Sequence, residues 1–172
     1  MSEMWKDIPG WKGLYQASNL GRVKSLARRV PGRPGVMLSV PEKILKPWLS
    51  NDGYPGVALC RDNKRSMQQV HRLVLLTFVG RPHEGMEACH NDGDKLNNIP
   101  TNLRWDTRSA NTFDKVAHGA HLYANRTHCP AGHPYDEANT YNRPSGGRQC
   151  RKCRCLQKAR RRVAIRLQAV AS

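Results

Sequence analysis

The chain reads as an α+β protein built from three small parts. These are a β-rich N-terminal module, a central strand–loop–strand–helix unit, and a C-terminal module stapled by metal ligands and ending in a basic helix. Three observations predict this. Residues 5–26 and 44–70 alternate apolar and polar positions around Gly, Asn and Asp, as short strands and turns do. Val70, Leu73, Val74, Thr77 and Phe78 fall at i, i+3, i+4, i+7 and i+8, one face of a helix. Cys and His then gather in two close pairs between 128 and 155. With 172 residues, 38% hydrophobic and 6% aromatic, several small cores are favoured over one large core. The modules are expected at 1–50, 51–120 and 126–172.

Charge narrows the partner. The formal net charge is +16, which points to a polyanion, either nucleic acid or an acidic membrane. Residues 126–172 alone carry 11 Lys and Arg against two acids. The N-terminus, MSEMWKDIPG, has no apolar run of a signal peptide, and no stretch approaches the roughly 18 apolar residues of a membrane span. A cytoplasmic, reducing location is expected, so the six Cys read as thiols or metal ligands rather than disulfides.

In order, Tyr15–Ser18 and Arg22–Ser25 read as strands joined at Asn19-Leu20-Gly21. Trp5, Ile8, Trp11 and Val23 supply a small core. Arg22, Lys24, Arg28 and Arg29 form a basic face, turned either to a phosphate backbone or to solvent. The pattern W-K-x-I-x-G-x-x-x-x-Y-x-x-S-N-x-G-x-V-x-S, from Trp5 to Ser25, resembles the NUMOD-type DNA-binding modules that accompany intron-encoded and phage nucleases. Residues 27–42, rich in Arg, Pro and Gly, read as a mobile loop. Ile44–Leu49 and Tyr54–Leu59 read as a hairpin around Ser50-Asn51-Asp52-Gly53, and Met67–Val70 as a third strand after a basic turn at 61–65. The helix that follows stops at Gly80 and Pro82. His71 lies beside its apolar face and reads as structural rather than as a ligand.

The central stretch, Ala88–Asn111, packs one histidine into a loop of Asn, Asp and Gly. Glu87–His90 reads as a strand, Asn91–Thr101 as a loop and Asn102–Trp105 as a strand. Asp106 or Thr107 then caps a helix running to about His118, with Gly119 as its stop. Phosphodiester hydrolysis needs a base to deprotonate water and a positive centre for the leaving 3′ oxygen. His90, at a strand end, supplies the base. Its other ring nitrogen needs an acceptor, a side-chain or backbone carbonyl across the hairpin, with Asn102 placed to support the pair. Asn111, one turn into the helix, offers a carbonyl oxygen to a hard cation such as Mg²⁺. An Asx-rich turn accounts for Asn91, Asp92, Asn97 and Asn98. It does not account for His90, Asn102 and Asn111 together in so basic a protein.

The pattern H-N-D-G-D-x-x-N-N-x-x-x-N-L-R-W-x-T-x-x-x-N, from His90 to Asn111 with V-H-R-L-V upstream, resembles the HNH endonucleases of the ββα-metal fold. The resemblance implies that His90 is the general base and Asn102 the middle residue of the family's name. It implies that Asn111 replaces the final His, as in the intron-encoded branch, and that one divalent ion, Mg²⁺ or Mn²⁺, contacts the scissile phosphate. Relatives commonly place Asp or His before the base as a second metal ligand, and here Cys89 stands there. A thiolate suits softer metals than Mg²⁺. Three readings stay open: a small buried residue with water or phosphate completing the metal shell, a preference for Mn²⁺, Ni²⁺ or Zn²⁺, or an impaired enzyme.

In the C-terminal part, Cys129-x3-His133 precedes Cys150-x2-Cys153, the spacing a tetrahedral structural Zn²⁺ needs. The ligands are read as Cys129, His133, Cys150 and Cys153, with His128 and Cys155 as spares. The pattern resembles zinc-finger modules appended to phage HNH proteins. From Leu156 onward a helix is expected, with Leu156, Val163, Leu167 and Val170 on one stripe and Lys158, Arg160, Arg161, Arg162 and Arg166 on the others. It docks on DNA or orders only on DNA. The whole reads as a DNA endonuclease of phage or mobile-element type, in the host cytoplasm if phage-encoded. It acts as a monomer on double-stranded DNA, with Arg22, Lys24, Arg104, Arg160, Arg161 and Arg162 on the backbone. The competing reading is a non-catalytic DNA-binding zinc protein. An RNA-binding zinc protein has less support, because the strands lack an aromatic stacking platform.

Overall fold

The computed structural model describes residues 2–121 and 123–170, with side chains described to residue 166. The fold is α+β, in two compact units, Met1–His118 and Gly119–Ser172.

The first unit opens with antiparallel β1 (Trp5–Asp7), β2 (Tyr15–Ser18) and β3 (Val23–Ser25). The turn between β2 and β3 is fixed by Ser18, whose Oγ accepts from the N–H groups of Leu20 at 3.2 Å and Arg22 at 3.1 Å. The next stretch departs from the expected loop. It is a hairpin of β4 (Arg28–Pro31) and β5 (Met37–Val40). Its Pro34 and Gly35 sit in the turn itself, where Gly32 N–H donates to the Val36 carbonyl at 2.8 Å. Ile44–Leu49 is likewise not one strand. Pro47 lacks the N–H a ladder requires, and the stretch splits into β6 (Lys43–Ile44), paired with β3, and β7 (Trp48–Leu49), paired with the start of β8 (Pro55–Arg61). The third strand, β9 (Lys64–Gln69), begins three residues earlier than expected. Asp62 and Asn63 take φ of 49° and 58°, a two-residue turn whose twist suits a hairpin.

Helix α1 (Val70–Phe78) buries Val70, Leu73, Val74 and Leu75. Then come β10 (Met86–His90), a 3-10 turn at Pro100–Asn102, β11 (Leu103–Thr107) and α2 (Arg108–Ala117). Thr107 caps α2, accepting from Ala110 N–H at 3.2 Å. One core serves the unit. Ile8, Tyr15 and Val23 from the N-terminal sheet pack with Val57 and Leu59 of β8, with α1 and with Leu103. Of the four residues expected to form an N-terminal core, Ile8 and Val23 are in it and Trp11 packs on its edge.

The second unit holds the hairpin of β12 (Thr140–Asn142) and β13 (Arg148–Cys150), followed by α3 (Arg151–Val170). Leu156 and Val163 of the expected stripe are exposed. The side chains of Leu167 and Val170 lie outside the described residues. Among the described residues no helix is long and apolar enough to cross a membrane.

Candidate functional site

The hairpin β10–β11 sorts the site residues onto two faces. Its register pairs His90 with Leu103 and Ala88 with Trp105, and it pairs Cys89 with Arg104 and Glu87 with Asp106. Directly opposed residues share a face and neighbours alternate. His90, Ala88, Leu103 and Trp105 therefore face the core and α1, while Glu87, Cys89, Arg104 and Asp106 face α2. Trp105 locks the arrangement, its indole N–H donating to the Gly80 carbonyl past the end of α1 at 2.9 Å.

On the core face His90 is 8% exposed. Its Nε2 lies 3.0 Å from Asn98 Oδ1, and the Asn98 amide is oriented by donating its own N–H to the Leu96 carbonyl at 3.1 Å. With an acceptor on Nε2, that nitrogen carries the proton and Nδ1 keeps the lone pair. The acceptor, expected as a carbonyl across the hairpin, is thus the side chain of Asn98 in the loop. Both Asn97 and Asn98 are turn formers, and only the folded loop distinguishes the one that reaches the ring. The His71 and His90 rings are 5.1 Å apart, and Tyr54 closes over both at 5.1 and 6.1 Å. Burial pushes the His71 imidazole down to about 3, with the neighbouring His90 contributing. Its Nδ1 is buried without a hydrogen-bond partner among the described residues.

Asn102 organises the loop instead of touching His90. Its Nδ2 donates to Asp92 Oδ1 at 2.9 Å and to the Asn97 carbonyl at 2.8 Å, while its Oδ1 accepts from Asp92 N–H at 3.2 Å. The Asn102 bond, then the one from Asn97, hold the Asp92 carboxyl below its usual range. Gly21 of the β2–β3 turn abuts this loop. A Cβ there would sit 2.9 Å from the Asn98 carbonyl carbon and oxygen, at a φ of +74°. The Gly of the N-terminal motif is the residue that lets that module press on the partner of His90.

On the α2 face, Asn111 Nδ2 donates to Glu87 Oε2 at 2.8 Å. Cys89 is buried, with Sγ 3.6 Å from the Glu87 carbonyl oxygen. Burial pushes its thiol up, opposed by Arg104, so it is held as a neutral thiol. A carboxylate and an amide are hard oxygen donors that suit Mg²⁺ or Mn²⁺, and a neutral thiol is not. Arg104 was expected on a DNA phosphate. Its guanidinium is instead held by Asp106 at 2.9 Å, by Asp114 of α2 and by Asn91, clamping hairpin, helix and loop.

The N-terminal cations are also engaged. Arg22 pairs with Glu3, and Lys24 pairs with Glu42 at 3.2 Å while lying over the Trp5 ring. Such exposed pairs are worth about 0–1 kcal/mol, small enough for a phosphate to displace. Arg28, expected on the same face, instead donates to the Leu14 and Leu26 carbonyls, Ser25 Oγ and Tyr15 OH. Arg29 is exposed.

In the second unit the ligand atoms of Cys129, His133, Cys150 and Cys153 all lie within 4.8 Å of one another. The edges are 3.6 Å for Cys129–Cys153 and 3.5, 3.3 and 3.7 Å from His133 Nδ1 to Cys129, Cys153 and Cys150. Tetrahedral sulfur ligands about 2.3 Å from a Zn²⁺ would stand roughly 3.8 Å apart, so the cluster has the size for that ion. Burial raises the Cys150 thiol, but the Cys153 N–H and the Asn139 amide outweigh it and bring it to about 6. The Cys129 sulfur, then burial, drive Cys153 up to about 11. The spares stand aside: His128 Nδ1 bonds Thr127 Oγ1 at 2.9 Å and Cys155 is exposed on α3. Arg160, Arg161 and Arg162 are exposed on α3.

Comparison with known proteins agrees with this geometry. The NUMOD4 motif model matches residues 3–60 and the HNH endonuclease model residues 68–113. The chain is 39% identical over 115 residues to DNA endonuclease I-HmuI of Bacillus phage SP01, covering 67% of this chain and 59% of that protein. Two uncharacterized HNH endonucleases of Acanthamoeba polyphaga mimivirus are 33% and 36% identical, over 24% and 26% of their lengths. The chain thus spans less than two thirds of each of these curated relatives. A solved structure describing DNA binding and cleavage by the HNH homing endonuclease I-HmuI superposes with a TM-score of 0.56 at 31% identity. That match covers 90% of this chain and 82% of the other.

Proposed function

The chain belongs to the HNH endonuclease family, and from that premise we propose that it hydrolyses phosphodiester bonds of double-stranded DNA with a divalent cation. The observation that carries this is the His90–Asn98 bond. It leaves a lone pair on Nδ1 at the end of β10, one residue from the face that holds Asn111. His90 takes the proton of the attacking water at Nδ1. Asn98 keeps the other ring proton on Nε2, and Asn102 holds the loop that carries Asn98. When bound beside Asn111, Mg²⁺ or Mn²⁺ supplies positive charge for the leaving 3′ oxygen. Arg104 keeps α2 and the hairpin in register.

Cys129, His133, Cys150 and Cys153 hold a structural Zn²⁺, a closed site with four protein ligands. The functional parts are then residues 1–50 and 126–172 for holding DNA and residues 51–120 for cutting it. Arg22, Lys24, Arg160, Arg161 and Arg162 contact phosphates, so affinity falls steeply with salt. One active centre per chain makes a monomer a nicking enzyme. Its relatives come from a bacteriophage and a mimivirus, in keeping with a phage or mobile-element origin and action in the host cytoplasm.

Supercoiled plasmid incubated with the zinc-loaded protein tests this. Open circles should form with Mg²⁺ or Mn²⁺ and not without them. A protein that binds the plasmid but leaves it uncut whichever divalent ion is added would instead be the non-catalytic DNA-binding protein that Cys89 favours.

A further inference from the structure

The family's metal position before the base is a thiol in this chain, yet a carboxylate stands on the same strand face two residues away. Glu87 and Cys89 share the α2 side of β10, and the Asn111 amide donates to the Glu87 carboxylate. We propose that Glu87 is the acidic ligand of the divalent cation, paired with Asn111, and that Cys89 only packs beneath them. The inference rests on the metal-dependent reading above.

Two independent features carry it. The first is distance. Adjacent ligands of an octahedral ion at 2.0–2.1 Å stand about 2.9 Å apart. The Asn111 amide and Glu87 carboxylate are 2.8 Å apart. Turning the Asn111 amide over exchanges its nitrogen for its oxygen and leaves two hard donors at that separation. The second is charge. The α2 face carries three carboxylates, Glu87, Asp106 and Asp114, and among the described residues Arg104 is the cation bonded to the last two. Its guanidinium is spent on Asp106 and Asp114. Glu87 is left half-buried with an amide N–H, in a chain of net charge +16. A cation would complete it.

Mn²⁺ titration followed by the spectrum of the free ion decides the matter. The full zinc-loaded chain is used with duplex DNA, in a His90→Ala background so that cutting is too slow to interfere. The parent should bind one Mn²⁺. Glu87→Gln keeps the acceptor for Asn111 and thus the local fold, which zinc content and thermal melting check, yet it should weaken Mn²⁺ at least tenfold. Glu87→Asp, which retains the charge, should fall between. Cys89→Ser should bind within twofold of the parent. Undiminished binding by Glu87→Gln, or loss of binding by Cys89→Ser, overturns the assignment while leaving the metal-dependent reading intact. A parent that takes up no Mn²⁺ overturns both.

Discussion

Two polar clusters in this protein are built on opposite plans. In the one around His90 the protein supplies most of the polar partners itself, with His71 Nδ1 the exception among the described residues. Asn98 fixes the ring, Asn102 ties Asp92 to Asn97, Arg104 clamps hairpin to helix, and an apolar core lies behind. The one around Cys129, His133, Cys150 and Cys153 crowds three sulfurs and an imidazole together, with Cys129 pushing the Cys153 thiol up, and has little apolar material near it. Most of α3 is exposed, Leu156 and Val163 included. On the function proposed above, the first cluster is arranged before any ion arrives, and the second depends on an ion for its order. A buried polar network satisfied internally contributes rigidity without a cofactor, whereas a small module with no core of its own folds on its metal.

The largest expected effect separates the two directly. Removing zinc, or making Cys150→Ser with Cys153→Ser, should abolish the order of the β12–β13 hairpin and α3, since such ions contribute on the order of 10 kcal/mol. The amide signals of the first unit should keep their positions, as two-dimensional NMR would report. Loss of both units together would mean that the first is not self-sufficient. Next comes Gly21→Ala, which forces both a left-handed φ and a 2.9 Å approach to the Asn98 backbone. It should cost about 3 kcal/mol and slow cleavage by disturbing the acceptor of His90. A fully stable, fully active variant would break the link between the N-terminal turn and the base.

Smaller is a pH effect confined to the first unit. His71 is neutral in the fold down to about 3, against an ordinary 6.5, so on acidification the unfolded chain takes the proton first. Stability from this group is complete above about 6.5 and is lost as pH falls toward 3. The loss between pH 7 and 5 should be about 2 kcal/mol in denaturant titrations, and a His71→Leu variant should lack it. The smallest effect is electrostatic. Replacing Arg160, Arg161 and Arg162 by Gln should lower the slope of log affinity against log salt by about 2–3, with the rate on saturated DNA unchanged.

Residue spacing made much of this legible. His90, Asn102 and Asn111 stand in a fixed pattern because strand, loop and helix lengths hold them there, and the gathering of Cys129, His133, Cys150 and Cys153 was readable for the same reason. What was hidden depended on which partner a side chain finds. Arg28 and Arg104 read as free cations, since composition cannot tell an engaged guanidinium from a solvated one. Asn98 was masked by its own turn propensity, and Glu87 by lying outside the motif. The β4–β5 hairpin was masked because its Pro and Gly, the usual signs of a loop, sit in its turn.

The central claim is that His90 is the base of a metal-dependent DNA cleavage. Single-turnover cleavage of the same duplex by wild type and His90→Ala, at equal zinc content and saturating protein, tests it. The prediction is a rate reduced about 10²–10⁴-fold with DNA affinity unchanged. Cleavage by His90→Ala at the wild-type rate would contradict it.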